Sequence, residues 1–271
     1  MPELPEVETT RRGIEPHLSS QKISRVVVRN PNLRWPIPAN LSRQLTNMEI
    51  KAVERRGKYI LLQTTRGYVL LHLGMSGSLR VVSSDVAPGK HDHIDIVLDN
   101  GSCLRLRDPR RFGCVLWAGK KPLEHKLLKD LGPEPLSGEF SGEYLYQRCR
   151  GRQQSIKTFI MDSHTVVGVG NIYASESLFR SGIHPQRAAT RLSLSRCSRL
   201  AEIIKQVLAE AIEQGGTTLR DFVDSDGSPG YFSQQLTVYD RAGEACRVCN
   251  KAIRKITQGQ RSTFYCPACQ R

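Results

Sequence analysis

Tyr59-Ile60-Leu61-Leu62-Gln63-Thr64-Thr65-Arg66-Gly67-Tyr68-Val69-Leu70-Leu71-His72-Leu73 sets two short apolar runs on either side of an Arg-Gly turn signal. Runs this short, rich in branched and aromatic residues and bounded by glycine, read as strands. The pattern repeats in both directions. Strand-like segments lie at about 23–29, 48–55, 59–64, 68–73, 78–82, 94–98, 103–107 and 112–118, separated by Gly74, Pro88-Gly89 and Asp99-Asn100-Gly101. Eight short strands at this spacing predict an antiparallel sandwich or barrel. A helix over 6–18 precedes them, led in by Pro5 and with acids in its first turn.

Past Pro133-Glu134-Pro135 the period changes. Leu200, Ile203, Ile204, Val207, Leu208, Ala211 and Ile212 share one helical face, and Gly215-Gly216 stops the run. A second helix is expected to start at Asn171, an N-cap residue type, and to end at Gly182. Before it, Val166-Val167-Gly168-Val169-Gly170 suits either tight packing or a backbone phosphate cradle. It lacks the third glycine of a dinucleotide fingerprint.

Cys246-Arg247-Val248-Cys249, sixteen residues, then Cys266-Pro267-Ala268-Cys269 forms a C-x2-C…C-x2-C array. Two such knuckles aim four thiolates at one point, the closed tetrahedral set of a structural Zn2+. Between them Ile253, Ile256, Thr263 and Tyr265 alternate around Gln258-Gly259, which predicts a metal-dependent hairpin with Arg261 near its tip. The remaining Cys103, Cys114, Cys149 and Cys197 are scattered singly, as buried thiols would be. The fold class expected is therefore α+β, with a strand-rich antiparallel domain over 1–133, a helical domain over 134–236 and a zinc ribbon over 237–271.

The formal charge is +14, and both halves contribute. Residues 1–133 hold 22 basic and 13 acidic side chains, residues 134–271 hold 18 and 13. Four zinc-bound thiolates bring the working value nearer +12. A positive field spread over the chain favours nucleic acid as partner. No apolar run is long enough to span a bilayer and no leader is visible, so a cytoplasmic protein without membrane contact is expected.

Three further stretches carry chemistry. Removal of Met1 would leave Pro2 with a free secondary amine beside the Glu3 carboxylate, a candidate covalent catalyst for a carbonyl-type carbon. His72-Leu73-Gly74-Met75-Ser76-Gly77 holds an apolar Met75 between glycines. Asp108-Pro109-Arg110-Arg111-Phe112-Gly113 pairs a cation with an aromatic. Apolar tips can wedge between bases, and an arginine can fill the hole left by an extruded one. Met75 and Phe112 could equally be sheet-edge core.

With Gly57-Lys58-Tyr59, Lys90-His91-Asp92-His93 and Gly168-Val169-Gly170-Asn171-Ile172-Tyr173, these motifs closely resemble the formamidopyrimidine-DNA glycosylase family nearly end to end. The resemblance implies an N-terminal β-sandwich for residues 1–133 and a helix-two-turn-helix architecture for the helical domain. It implies removal of oxidised purines (8-oxoguanine, formamidopyrimidines) from damaged double-stranded DNA, followed by strand cleavage. Carried over, Pro2 resembles the Schiff-base nucleophile and Glu3 the acid that assists base departure, while Glu6 anchors the terminus. Lys58 matches the proton donor of β-elimination and Arg261 that of δ-elimination. His72, His91, Asn171 and Arg152 look like DNA-contacting positions, with Arg152 in a mixed basic stretch, Arg148–Lys157, that could be plain surface. Met75, Arg110 and Phe112 match an intercalating set, and 217–231 matches a loop over the flipped base. One lesion needs one clamp, so a monomer is expected. The alternatives are the related endonuclease VIII branch, which removes oxidised pyrimidines, and a non-catalytic zinc-ribbon DNA-binding protein.

Overall fold

The computed structural model describes residues 2–217 and 235–271. Contacts divide the chain into two compact units, residues 1–129 with 214–231 and residues 130–213 with 232–271. The loop expected over 217–231 lies outside the described residues except for Thr217.

The first unit opens with α1 (Leu4–Leu18), two residues earlier than the sequence suggests. Glu3 is the N-cap, and the Glu6 carboxylate reaches back to the Glu3 N–H at 2.8 Å, closing a capping box. Pro5 thus falls second in the helix, where its missing N–H still costs nothing. Eight strands follow: β1 (Ile23–Val28), β2 (Ile50–Arg56), β3 (Tyr59–Thr64), β4 (Gly67–His72), β5 (Ser78–Ser83), β6 (Asp92–Leu98), β7 (Ser102–Arg107) and β8 (Cys114–Gly119). A short helix, α2 (Leu41–Leu45), separates β1 from β2.

The strands form two antiparallel sheets, ordered β2-β3-β4-β8 and β1-β6-β7-β5. Both sheets feed one core. Ile60, Leu62, Val69, Leu71 and Val115 meet Val26, Ile94, Ile96, Leu104 and Leu106, with Val7, Ile14 and Leu18 of α1 added. The architecture is a sandwich, as one of the two expected options. Leu61 and Leu70 on the opposite face of the central strands are buried as well, which explains why that stretch reads as a continuous apolar run.

The second unit holds α3 (Gly142–Cys149), α4 (Ile156–Ile160), α5 (Asn171–Arg180), α6 (Leu194–Glu213) and a ribbon of β9 (Arg254–Gln258) and β10 (Arg261–Tyr265). Helices α3 and α5 pack on α6. The apolar stripe of α6 is buried at Leu200, Ile204, Val207, Leu208 and Ala211, and the helix starts upstream of it. Asn171 is the first helical residue, not the cap. Gly170 takes the cap position without a side-chain bond, which releases the Asn171 side chain for other work.

The ribbon shares a small apolar core with α5. Val238, Ile253 and Phe264 pack with Phe179 of α5. Buried Glu176 of α5 grips the ribbon's approach, accepting from the N–H groups of Thr237 (2.9 Å), Val238 (3.0 Å) and Tyr239 (2.8 Å) and from the Thr237 hydroxyl. Four donors satisfy a carboxylate that burial would otherwise penalise. The turn closing the ribbon is Gly259-Gln260, one residue beyond the expected place. Both residues are left-handed (φ 52° and 60°), as a two-residue hairpin of the right twist demands.

Candidate active site and nucleic-acid interface

Pro2 and Glu3 sit buried at the head of α1. The positive end of the helix dipole favours a carboxylate and disfavours a protonated amine there. Glu6 anchors this terminus as expected. Its Oε2 holds Glu3, and its Oε1 accepts from the Thr217 N–H at 2.8 Å.

Lys58 occupies the second place of the two-residue β2–β3 turn, since Arg56 pairs with Tyr59. Gly57 supplies the left-handed first position at φ 58°, which a side chain would strain. Directly beyond, Tyr59 pairs with His72 in register, and their rings are 4.8 Å apart. The His72 pKa is pushed down to about 4 by burial first, and then by the charges of Lys58 and Arg34. Its Nδ1 accepts from the Gly74 N–H at 2.9 Å, so the neutral ring keeps its proton on Nε2. His72 is thus a fixed, uncharged donor beside Lys58.

The two wedge loops interlock. A Cβ on Gly74 would lie 2.5 Å from Gly113 N and Phe112 C, and a Cβ on Gly113 2.5 Å from the His72 carbonyl oxygen. Fully buried Asp108 organises the second loop, accepting from the N–H groups of Gly113 (2.8 Å) and Arg110 (3.3 Å) and from Ser76 Oγ of the first loop (3.4 Å). The Asp108 N–H in turn donates to the His91 carbonyl at 3.0 Å. Met75 and Phe112 emerge exposed, and not as sheet-edge core. The Arg110 guanidinium stacks 4.9 Å from the Phe112 ring centroid. His72, Met75, His91, Arg110 and Phe112 therefore gather at one edge of the sandwich.

In the second unit, Asn171 and the ribbon tip are tied together. Asn171 Nδ2 donates to the Ser262 carbonyl at 2.9 Å, next to exposed Arg261. Lys157, which the sequence left within a basic stretch, is buried. Its Nζ donates to Asn171 Oδ1 (2.6 Å), Thr263 Oγ1 (2.7 Å) and the Ser262 carbonyl (3.2 Å), saturating the ammonium. The apolar Ile156, Phe159 and Ile160 around it were the available sign of burial. Lys157, Met161, Gln258 and Arg261 line a crevice of about 250 Å3. Arg152 lies exposed after α3, and its carbonyl accepts from the Thr190 N–H at 2.9 Å. Val166, Val167, Gly168, Val169 and Gly170 are buried, which is the packing use of that segment.

Cys246, Cys249, Cys266 and Cys269 bring their sulfurs within 4.8 Å of one another, and all are free thiols. Zinc–sulfur bonds of about 2.3 Å give a tetrahedron with edges near 3.8 Å. The Cys246–Cys269 and Cys249–Cys266 separations, 4.0 and 3.4 Å, fit that figure. The set forms a structural zinc site.

Comparison with known proteins matches the whole length. The Formamidopyrimidine-DNA glycosylase N-terminal domain matches residues 1–115, its H2TH domain 131–223, and the zinc finger found in FPG and IleRS 243–271. A formamidopyrimidine-DNA glycosylase of Thioalkalivibrio sulfidiphilus is 59% identical over 271 residues, covering 100% of both chains. A point mutant of the Lactococcus lactis FPG, in complex with DNA containing Fapy-dG, superposes with a TM-score of 0.93 at 33% identity, covering 99% of each chain. The wild-type Lactococcus lactis protein in complex with DNA containing an oxidised pyrimidine gives 0.92 at 33% identity, again covering 99% of each chain.

Proposed function

This chain belongs to the formamidopyrimidine-DNA glycosylase family, and on that premise we propose how its own residues carry out the reaction. The protein is a DNA glycosylase and abasic-site lyase that removes oxidised purines from duplex DNA. With Met1 removed, the Pro2 amine attacks C1′ of the damaged nucleotide. The positive end of α1 keeps that amine neutral and nucleophilic. The ionised Glu3 takes the N–H proton that Pro2 sheds on bonding to C1′ and passes it to the sugar ring oxygen as the ring opens to the iminium and the base departs. A secondary amine yields an iminium that stays charged, a strong electron sink for the elimination that follows.

Lys58 then neutralises the phosphate leaving on the 3′ side and Arg261 the one on the 5′ side. Neutral His72 donates its Nε2 proton to a phosphate oxygen, and His91 and Asn171 hold the backbone. Met75 and Phe112 wedge the stack while Arg110 fills the vacated place. Arg152 adds a peripheral phosphate contact. Residues 1–133 carry the chemistry, 134–236 the helical grip and 237–271 the zinc-held Arg261, in a monomer acting on cytoplasmic, chromosomal DNA. The zinc holds the ribbon in shape and takes no part in bond making.

The observation that supports this reading most is the clustering of Lys58, His72 and both wedge loops in the unit whose helix head presents Pro2 and Glu3. Borohydride added during turnover of an 8-oxoguanine duplex should trap a DNA adduct at Pro2. An enzyme with a processed terminus that releases base but gives no adduct would overturn the imine mechanism. A second substrate class, oxidised pyrimidines, is favoured by the relative bound to such DNA. Excision of a thymine-glycol duplex beside the 8-oxoguanine one measures its weight.

A further inference from the structure

We propose that Glu8 and Arg55 are positioning residues for the elimination step, locking the Gly57-Lys58 turn to the helix that carries Pro2 and Glu3. Glu8 lies on α1 and is buried. Its Oε2 accepts from Arg55 Nε at 2.9 Å, and the same guanidinium donates through Nη1 to the Gly57 carbonyl at 2.9 Å. Arg12 Nε and Arg11 Nη2 bind the other carboxylate oxygen at 2.9 and 3.0 Å. Arg11 Nη1 also reaches the Val53 carbonyl of β2 at 3.1 Å, so helix and strand are stitched twice. Burial works to raise the Glu8 carboxyl, but Arg11, Arg55 and Arg12 outweigh it and hold it below the usual carboxylate range. The pair stays ionised at working pH.

The identity of the gripped atom gives the arrangement its meaning. The Gly57 carbonyl belongs to the central peptide of the two-residue turn, the peptide whose flip interconverts the two hairpin turn types. Gly57 is left-handed and Lys58 is not. A flip would force Lys58 into the left-handed region and redirect its side chain. Glycine at the first position makes the flip sterically easy, and Arg55 opposes it by holding the carbonyl. Lys58 has a long, flexible stem, so its reach to a leaving phosphate depends on where this peptide points. The chain from Glu8 through Arg55 to Gly57 thereby fixes the lysine against the helix that presents the nucleophile.

This inference rests on the reading of Lys58 given above, and the test separates the two. The full-length protein reacts under single-turnover conditions with a duplex holding a preformed abasic site. Borohydride trapping times imine formation, and strand scission times elimination. Glu8→Gln, Arg55→Met and Arg55→Lys (whose single nitrogen replaces the Nε and Nη1 that reach the two acceptors separately) should trap within about twofold of wild type. Each should cleave about tenfold more slowly or worse, the scale of a misplaced catalytic group. The Glu8→Gln/Arg55→Met double variant should cleave no more slowly than the worse single one, because both break one chain. Parallel loss of trapping and scission would mark a merely structural pair and overturn the proposal. So would wild-type scission in variants that melt as folded proteins. A wild-type protein that traps no adduct overturns the underlying reading instead.

Discussion

Replacing Gly74 with alanine perturbs both wedge loops through one methyl group. The residue sits at φ 66°, where an L side chain costs about 1–2 kcal/mol. The new Cβ would also lie 2.5 Å from Gly113 N and Phe112 C, and backbone atoms cannot rotate aside. Reaching ordinary contact at 3.4 Å needs the loops to part by roughly 0.9 Å, an overpacking worth about 1–3 kcal/mol. The sum is about 2–5 kcal/mol, or a fall in Tm of roughly 5–15 °C for a protein of this size. Gly101→Ala is the control. Its φ of 84° incurs the conformational cost, but nothing lies within 4 Å of the new Cβ. Thermal unfolding should therefore separate the two variants by about 1–3 kcal/mol. Affinity for a duplex carrying a stable abasic-site analogue should fall at least about tenfold for Gly74→Ala, since Met75, Arg110 and Phe112 all shift. For Gly101→Ala it should be unchanged. Equal melting shifts and equal affinities in the two variants would refute the interlocking of the loops.

Lys157→Met removes three bonds from a buried ammonium and leaves Asn171 Oδ1 and Thr263 Oγ1 short of a donor, at about 1–3 kcal/mol each. Urea unfolding should show a loss of that order, and an unchanged midpoint would sink the clamp. Chelating the zinc should release β9 and β10, read as fast amide exchange at residues 254–265 while the sandwich strands keep their protection. His72 should stay neutral in an NMR titration until pH approaches about 4. The stability it contributes is full above the unfolded imidazole value near 6.5. It is lost as pH falls from there toward 4, because the unfolded chain binds the proton first. Gln260→Gly should stabilise the ribbon by about 1 kcal/mol by relieving a left-handed glutamine, detectable as a raised Tm.

The sequence by itself determined the strand-rich first half, the helical second half and the zinc ribbon, because each rests on local physics. Strand alternation, the 3.6-residue period of 200–212 and the paired cysteine knuckles are all visible within a few turns of chain. Its motifs also carry the family resemblance that makes Pro2, Lys58, Met75, Phe112 and Arg261 site candidates. It missed by a residue or two where a cap or turn is chosen by packing. Gly170 caps α5 because Asn171 is drawn toward Lys157 and Ser262, and the ribbon turns at Gly259-Gln260 because the β9–β10 register demands it. Choosing sandwich over barrel needed the separate hydrogen-bonding of two sheets. Only the tertiary structure could turn Lys157 from apparent surface charge into a buried clamp, or join Glu8 to the Lys58 turn through Arg55. Those roles turn on the Glu8–Arg55 and Lys157–Thr263 pairings, 47 and 106 positions apart, and a long-range contact leaves no periodic trace in a single chain.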